Sequence, residues 1–245
     1  MSRHLSLRSG NPVLSKNTFA TNPASREVMT INGTVNKTAL SLLILVGCGY
    51  FSFNSMNVGL IIGSAIIGFI IAMVTIYKKE WSPITVPIYA AVEGVLLGGI
   101  SFVYNSNYEG IVTNAIFLTV GILLSLLMAY KSGLIKPTEN FKLGIVAATG
   151  GIFIVYLINF IMGFFGSGMS IMDVNNPSIF SIVFSIVVII IAALNLVLDF
   201  DFIEEGAEKG VPKYMEWYGA FGLLVTLIWL YLEILRLLAK LNSRR

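Results

Sequence analysis

The amino-acid sequence predicts an all-α integral membrane protein with seven transmembrane helices. Of its 245 residues, 56% are hydrophobic and only 12% are charged, which is about half the charged fraction of a soluble domain. The mean hydropathy is +0.83. Uncharged apolar runs of about 18 residues or more recur along the chain, and each is long enough to cross the ~30 Å hydrocarbon core of a bilayer as a helix. The lipid bilayer is therefore the first expected partner.

Two regions of different composition divide the chain. Residues 1–37 are polar and basic, lack the apolar core of a secretory signal peptide, and are predicted to form a flexible cytoplasmic tail. Residues 38–241 are predicted to form the transmembrane domain. Its seven apolar segments are 39–56, 58–77, 84–104, 111–130, 143–165, 179–198 and 217–238.

The distribution of Lys and Arg predicts the orientation in the membrane, because cytoplasmic loops carry the excess of basic residues. The tail and every second loop contain basic residues, whereas loops 54–57, 105–110 and 166–178 contain none. The N-terminus is therefore expected in the cytoplasm. Seven spans would then place the basic C-terminal end outside, which conflicts with the same rule, and the sequence leaves the side of the C-terminus open.

Several classes of function are not expected. The single cysteine, Cys48, and the single histidine, His4, exclude an internal disulfide and any Cys- or His-rich metal site. The Gly-x-Ser-Gly and Gly-x-Gly-Asp motifs of intramembrane proteases are also absent. We therefore expect neither an enzyme nor a cofactor. The basic residues lie in loops and tails, where they act as topology signals and not as a nucleic-acid surface.

Glu93 is the first candidate functional residue. It lies nine residues into the third apolar segment, or roughly 13 Å along a helix that rises ~1.5 Å per residue. Near the bilayer centre a charged carboxylate costs about 2.5 kcal/mol or more. Two interpretations are open: a protonated Glu93 that bridges helices, or a residue of an ion pathway, since intramembrane acids commonly mark such routes.

Asp199 and Asp201 lie in the stretch NLVLDFDFIEEGAEKG, where acids follow a long uncharged segment. Clustered carboxylates provide the hard oxygen ligands that Ca²⁺ prefers, and their mutual repulsion lets a cluster sense protons. Both are candidates for an ion pathway, a pH gate and a weak Ca²⁺ site. On a regular helix Asp201 lies about 200° around the axis from Asp199. One site can hold both only if the helix frays or ends here, as Gly206 and Gly210 would allow.

Glu233 and Arg236 form a third candidate group, in the last apolar segment. They are three residues apart and share a helical face with Lys240. One interpretation is an ion pair near the membrane surface, with long side chains that extend toward water. The other is a latch at the far end of a pathway.

The motif LNLVLDFDFIEEGAEKGVPKY, followed by an apolar last span, resembles the Bax inhibitor family, the transmembrane Bax inhibitor motif proteins. In that family the sixth helix ends in an Asp-containing stretch, and Asp199 occupies the position of this Asp. The segment YAAVEGVLLGGI is similar to the third helix of the family, with Gly94 at the family glycine and Glu93 where an uncharged residue is usual. The resemblance covers about residues 38–240, and SGNPVLSKNTF is similar to the N-terminus of a bacterial subgroup.

The resemblance implies a seven-helix fold with the last helix central in the bundle. It also implies a pH-sensitive leak of Ca²⁺ or another cation through a bacterial inner membrane, gated by one aspartate on each of the last two helices. Asp199 carries over as the first gate residue. Alignment on the closing LRLL puts Thr226 at the second position, with Glu233 two turns later, so Glu93 or Asp201 is the candidate for the second carboxylate.

A second hypothesis belongs to a different class of function. Some bacterial relatives are thought to be non-conducting regulators that bind a membrane protease or another integral membrane protein. In that case the tail and the acidic loop would form the binding surface, and the intramembrane acids would be structural.

Overall fold

The computed structural model describes residues 27–54, 57–135 and 137–244, and these residues form an all-α protein. The seven helices are α1 (Ile31–Asn54), α2 (Val58–Tyr77), α3 (Ser82–Asn107), α4 (Ile111–Lys131), α5 (Glu139–Phe164), α6 (Ile179–Glu208) and α7 (Met215–Asn242). Each is long and apolar enough to cross a membrane. The predicted fold class is confirmed.

Helix α1 begins earlier than predicted, inside the segment assigned to the polar tail. The Thr30 hydroxyl accepts a hydrogen bond from the backbone N–H of Gly33 at 2.9 Å, which caps the first turn. The carboxylate of Glu216 in turn accepts hydrogen bonds from the backbone N–H and the hydroxyl of Thr30, at 3.0 and 2.9 Å. This tertiary contact fixes a start at Ile31 that hydropathy could not show. Residues 1–26 of the predicted tail lie outside the described residues.

Helix α6 ends later than predicted, at Glu208 and not near residue 198. An ion pair between Glu205 and Lys209, four residues apart, supports its last turn. The helix ends before Gly210, whose φ of 61° is a backbone conformation that glycine adopts without strain. Asp199 and Asp201 therefore both lie within one continuous helix, and the fraying that a shared site would require is not observed.

The described chain divides into two compact units. Unit 1 contains residues 108–135, 137–200 and 226–244, whereas unit 2 contains residues 27–54, 57–107 and 201–225. Helices α4 and α5 belong to unit 1 and α1 to α3 belong to unit 2. Helices α6 and α7 contribute residues to both units.

Helix α7 is the most buried of the seven. In its most apolar 18-residue window 61% of the residues are buried, compared with 17% in α1, α2 and α4 and 6% in α5. The outer faces of α4 and α5 instead expose large apolar side chains such as Phe117, Phe153 and Phe160, which suits contact with lipid.

Unit 2 is held together by the close approach of α1 and α3. A Cβ atom added at Gly94 would lie 2.4 Å from the backbone oxygen of Leu45, and one added at Gly98 would lie 2.2 Å from that of Gly49. Small residues allow such contact between helix backbones in lipid. The Ser52 hydroxyl donates a hydrogen bond across the same interface to the Val95 carbonyl at 2.8 Å.

We expect Gly94→Ala to destabilise the protein, because the new methyl group meets a backbone atom that cannot rotate away. Overpacking of this kind costs about 1–3 kcal/mol, which should lower the melting temperature by several degrees. Gly121→Ala in α4 is the matched control, since a Cβ atom there meets no atom within 4 Å. Melting curves of both variants in the same detergent test this, and equal midpoints would contradict the close contact.

Candidate functional site

Asp199 and Thr226 form the first part of the candidate site, in unit 1. The Asp199 side chain is completely buried. The Thr226 hydroxyl of α7 donates a hydrogen bond to Asp199 Oδ2 of α6 at 2.6 Å. The structure therefore brings together the two residues that the resemblance placed at the gate, with a hydroxyl at the position for which the resemblance implied a second carboxylate.

Asn195 lies one turn before Asp199 on the same face of α6. Its side-chain N–H₂ donates to the Thr149 hydroxyl of α5 and to the Ile191 carbonyl, both at 2.8 Å. Its Oδ1 atom is buried and accepts no hydrogen bond from the described residues. A buried acceptor in this state typically costs about 1–3 kcal/mol, so Oδ1 is available to a water molecule or a cation.

Glu233 and Arg236, the predicted latch, are brought together with Tyr156 of α5. Arg236 Nη1 donates to both carboxylate oxygens of Glu233, at 2.7 and 2.9 Å, and to the Tyr156 hydroxyl at 3.0 Å. The Tyr156 hydroxyl donates to Glu233. The Arg236 guanidinium also lies over the Tyr156 ring, 5.4 Å from its centroid, a favourable cation–π arrangement. The carboxylate of Glu233 is buried, whereas 23% of the Arg236 side chain remains exposed.

Lys240 is the last polar group of this region and is completely buried. Its ammonium group donates to the carbonyl oxygens of Ile171 and Ser181, at 2.8 and 3.2 Å. A third hydrogen bond goes to the Ser185 hydroxyl at 2.9 Å. An ammonium has three N–H donors, and each donor therefore has an oxygen acceptor.

These groups follow common helix faces. On α7, Thr226, Glu233 and Lys240 are separated by seven residues each, close to two helical turns, and span roughly 21 Å along the axis. On α6, Asp199 and Ser185 lie within about 40° of one another around the axis. We call this set the polar stripe; its members are Thr149, Tyr156, Ser181, Ser185, Asn195, Asp199, Thr226, Glu233, Arg236 and Lys240. Its length is a large part of the ~30 Å hydrocarbon core.

Asp201, two residues after Asp199, belongs to unit 2 and is partly exposed. Because α6 is continuous, its carboxylate leaves the helix about 200° away from that of Asp199. A Ca²⁺ site shared by both would require the helix to unwind. Among the described residues there is also no group of three or more Asp, Glu, His or Cys side chains that could hold a metal ion.

Glu93 lies in unit 2, within α3, and is 9% exposed. Gly68 of α2 leaves the space for its carboxylate, since a Cβ atom at that glycine would lie 2.7 Å from Glu93 Oε1. Tyr89, one turn earlier, is in hydrogen-bonding contact with it. Within the described part of the chain no basic side chain pairs with Glu93.

Sequence reasoning missed some of the residues that complete these contacts. Thr149 and Tyr156 are isolated polar residues in the apolar α5, and no local pattern distinguishes them from solvent-facing or lipid-facing positions. Glu216 was also missed. It is buried at the start of α7 and forms an ion pair with Lys37 of α1. An acid directly before the last apolar segment was the available signal, since carboxylates in a first helical turn are stabilised by the helix dipole.

Seven apolar helices with buried ionisable side chains define a multi-pass membrane protein. Comparison with known families agrees with this class. The family model described as Bax inhibitor 1 like matches residues 11–243, and the chain therefore belongs to the Bax inhibitor family. No curated protein matches the chain.

Proposed function

We propose that this protein is a pH-sensitive cation leak, with Ca²⁺ as the ion, and that the polar stripe is its pathway. One observation carries the proposal: a fully buried carboxylate, Asp199, lies on the same helix faces as a stripe of further polar groups, most of them buried. Intramembrane acids commonly mark ion routes. The small number of carboxylates fits conduction, which requires binding weak enough for the ion to leave.

Asp199 is the gate residue in this proposal. As a carboxylate it accepts the hydrogen bond from Thr226. Protonation removes the negative charge and turns one oxygen into a donor, which weakens the hydrogen bond from Thr226 and gives Asp199 a new O–H that needs an acceptor. A change at this contact would switch the pathway between its open and closed states, and the same event would remove the charge that attracts a cation.

Of the remaining predicted residues, Glu233 and Arg236 act as a latch in the polar stripe. Glu93 and Asp201 belong to unit 2 and lie outside the polar stripe, so they have no role in this pathway. No cofactor is required. The protein would lie in a bacterial inner membrane with its N-terminus in the cytoplasm, as the basic loops suggest.

Cation flux into liposomes tests the proposal. Purified protein is reconstituted with a Ca²⁺ dye inside the vesicles, and flux is measured from about pH 5 to pH 8, the range in which a perturbed carboxylate titrates. We expect Ca²⁺ entry that changes with pH and that exceeds entry into protein-free vesicles. Folded protein that passes no Ca²⁺, K⁺ or Na⁺ at any pH would contradict the proposal.

The alternative is a non-conducting regulator that binds a membrane protease or another membrane protein, and one observation favours it. Residues 27–30, which we call the strap, are attached to the α6–α7 connection. Met29 N donates to the Val211 carbonyl at 2.8 Å, and Lys213 pairs with Glu27 at 2.8 Å. The Glu27 carboxylate accepts a hydrogen bond from Lys213 and places a negative charge beside it, and both effects raise the pKa of Lys213. A partner could therefore bind the tail and this connection together, and deletion of residues 1–26 should abolish its capture.

A further inference from the structure

We infer that Lys240 is a tethered plug: its ammonium group fills a cation-binding site made of the Ile171 and Ser181 carbonyl oxygens and the Ser185 hydroxyl. The role as a plug rests on the proposed cation leak. The binding site itself does not, because it follows from contacts within unit 1. The ligand class is a primary ammonium ion or a monovalent cation of similar size.

The geometry of the site supports this inference. Three oxygens surround the Lys240 Nζ atom at 2.8, 3.2 and 2.9 Å, and two of them are backbone carbonyls. Backbone carbonyl oxygens replace the hydration shell of K⁺ in selectivity filters, and an ammonium ion has a similar size and charge. The site therefore has the chemistry of a cation site, and a side chain of the protein itself occupies it.

The Lys240 side chain is enclosed by protein on all sides. Lys240 has no exposed surface, although lysine is almost never fully buried unless its charge is satisfied. The acceptors of the Nζ atom come from two parts of the chain. Ile171 lies in the segment that joins α5 to α6, and Ser181 and Ser185 lie in the first turns of α6. The contact thus fastens the end of α7 to both.

The cation-binding site lies at one end of the proposed pathway. Lys240 lies on the same face of α7 as Thr226 and Glu233, at the end of the polar stripe farther along α7 from Asp199. A cation that travels along the stripe would meet a fixed ammonium charge here and would have to displace it from its oxygens. A tethered side chain can leave and return, so Lys240 would lower the leak without abolishing it.

Lys240→Ala tests the inference, because it removes the ammonium and leaves the three oxygens. Two measurements are needed: the melting temperature in detergent, and Ca²⁺ or K⁺ flux in liposomes. Without added ligand the variant should have a lower melting temperature than the wild type. Ethylammonium or propylammonium chloride should raise its melting temperature by about 5 °C, whereas choline, which has no N–H donor, should not. Lys131→Ala, at the exposed end of α4, is the control and should show no such response.

The flux measurement tests the plug separately. We expect Lys240→Ala to conduct several-fold more than the wild type, and ethylammonium to reduce this excess. A folded variant that no primary ammonium ion stabilises would overturn the cation site. Stabilisation by ethylammonium with flux equal to that of a conducting wild type would overturn the plug. Stabilisation with no flux from either protein would support the site and contradict the proposed leak.

Lys240→Gln covers the case in which the alanine variant does not fold. Glutamine is one bond shorter than lysine, keeps two N–H donors and carries no charge. We expect it to fold, to conduct more than the wild type, and to be insensitive to ethylammonium because its side chain still fills the site. Wild-type flux in a folded Lys240→Gln protein would overturn the plug.

Discussion

Asp199→Asn should abolish the pH dependence of cation flux while leaving the protein folded. Asparagine has nearly the same shape as aspartate, and its side-chain oxygen can still accept the hydrogen bond that Thr226 donates to Asp199 at 2.6 Å. It cannot titrate, however, and it carries no charge to attract a cation. The flux of the variant should therefore be flat between about pH 5 and pH 8, the range in which a perturbed carboxylate titrates.

The control for this variant is Glu208→Gln, which neutralises an exposed acid at the end of the same helix. We expect this change to leave both the size and the pH profile of the flux unaltered. If Asp199→Asn retains the wild-type pH profile, Asp199 is not the proton sensor. The same scan on Glu93→Gln would then show whether the buried acid of unit 2 has that role.

Glu233→Gln should cause a large loss of stability. The carboxylate is 2% exposed and accepts hydrogen bonds from both Arg236 and Tyr156. Its neutralisation leaves the Arg236 guanidinium without a counter-charge, and breaking a buried pair costs about 3–5 kcal/mol. Because Arg236 is 23% exposed, we expect the lower part of that range, about 3 kcal/mol, or a melting temperature lowered by roughly 6–12 °C.

A double variant identifies the cause. Glu233→Gln combined with Arg236→Gln removes both charges, so it should recover part of the stability that Glu233→Gln alone loses. If the single variant has the same melting temperature as the wild type, the buried pair does not stabilise the fold. If Glu233 and Arg236 also act as a latch, the single variant should show raised flux at every pH in the same liposome assay.

The number and type of the helices could be predicted from the sequence because hydropathy reports transfer into lipid directly. The seven apolar segments correspond to seven helices, and those that had clear polar ends, such as 58–77, agree with the structure at both ends. The start of α1 and the end of α6 were wrong. Both are set by contacts that hydropathy does not measure: a cap at Thr30 anchored by Glu216, and a helix that continues into charged residues through the Glu205–Lys209 pair.

Only those parts of the candidate site that lie on a single helix could be predicted from the sequence. Spacing along α7 placed Glu233, Arg236 and Lys240 on one face, and the family resemblance placed Thr226 opposite Asp199. The partners from α5, Thr149 and Tyr156, are fixed by how helices pack in three dimensions. No sequence period encodes which polar residue on a neighbouring helix will meet Asn195 or Glu233, and a single sequence therefore shows one side of each pair.

The strap limits how far the N-terminal end can be trimmed. The carboxylate of Glu216 lies so close to Gly33 that a Cβ atom there would fall 2.1 Å from Glu216 Oε1, and its neighbours are Thr30 and Lys37. A truncation that stops before Glu27 leaves this group intact. One that continues past Thr30 would remove two of the hydrogen bonds to a buried acid, so loss of partner capture in such a protein would report damage to the fold and not the absence of a binding sequence.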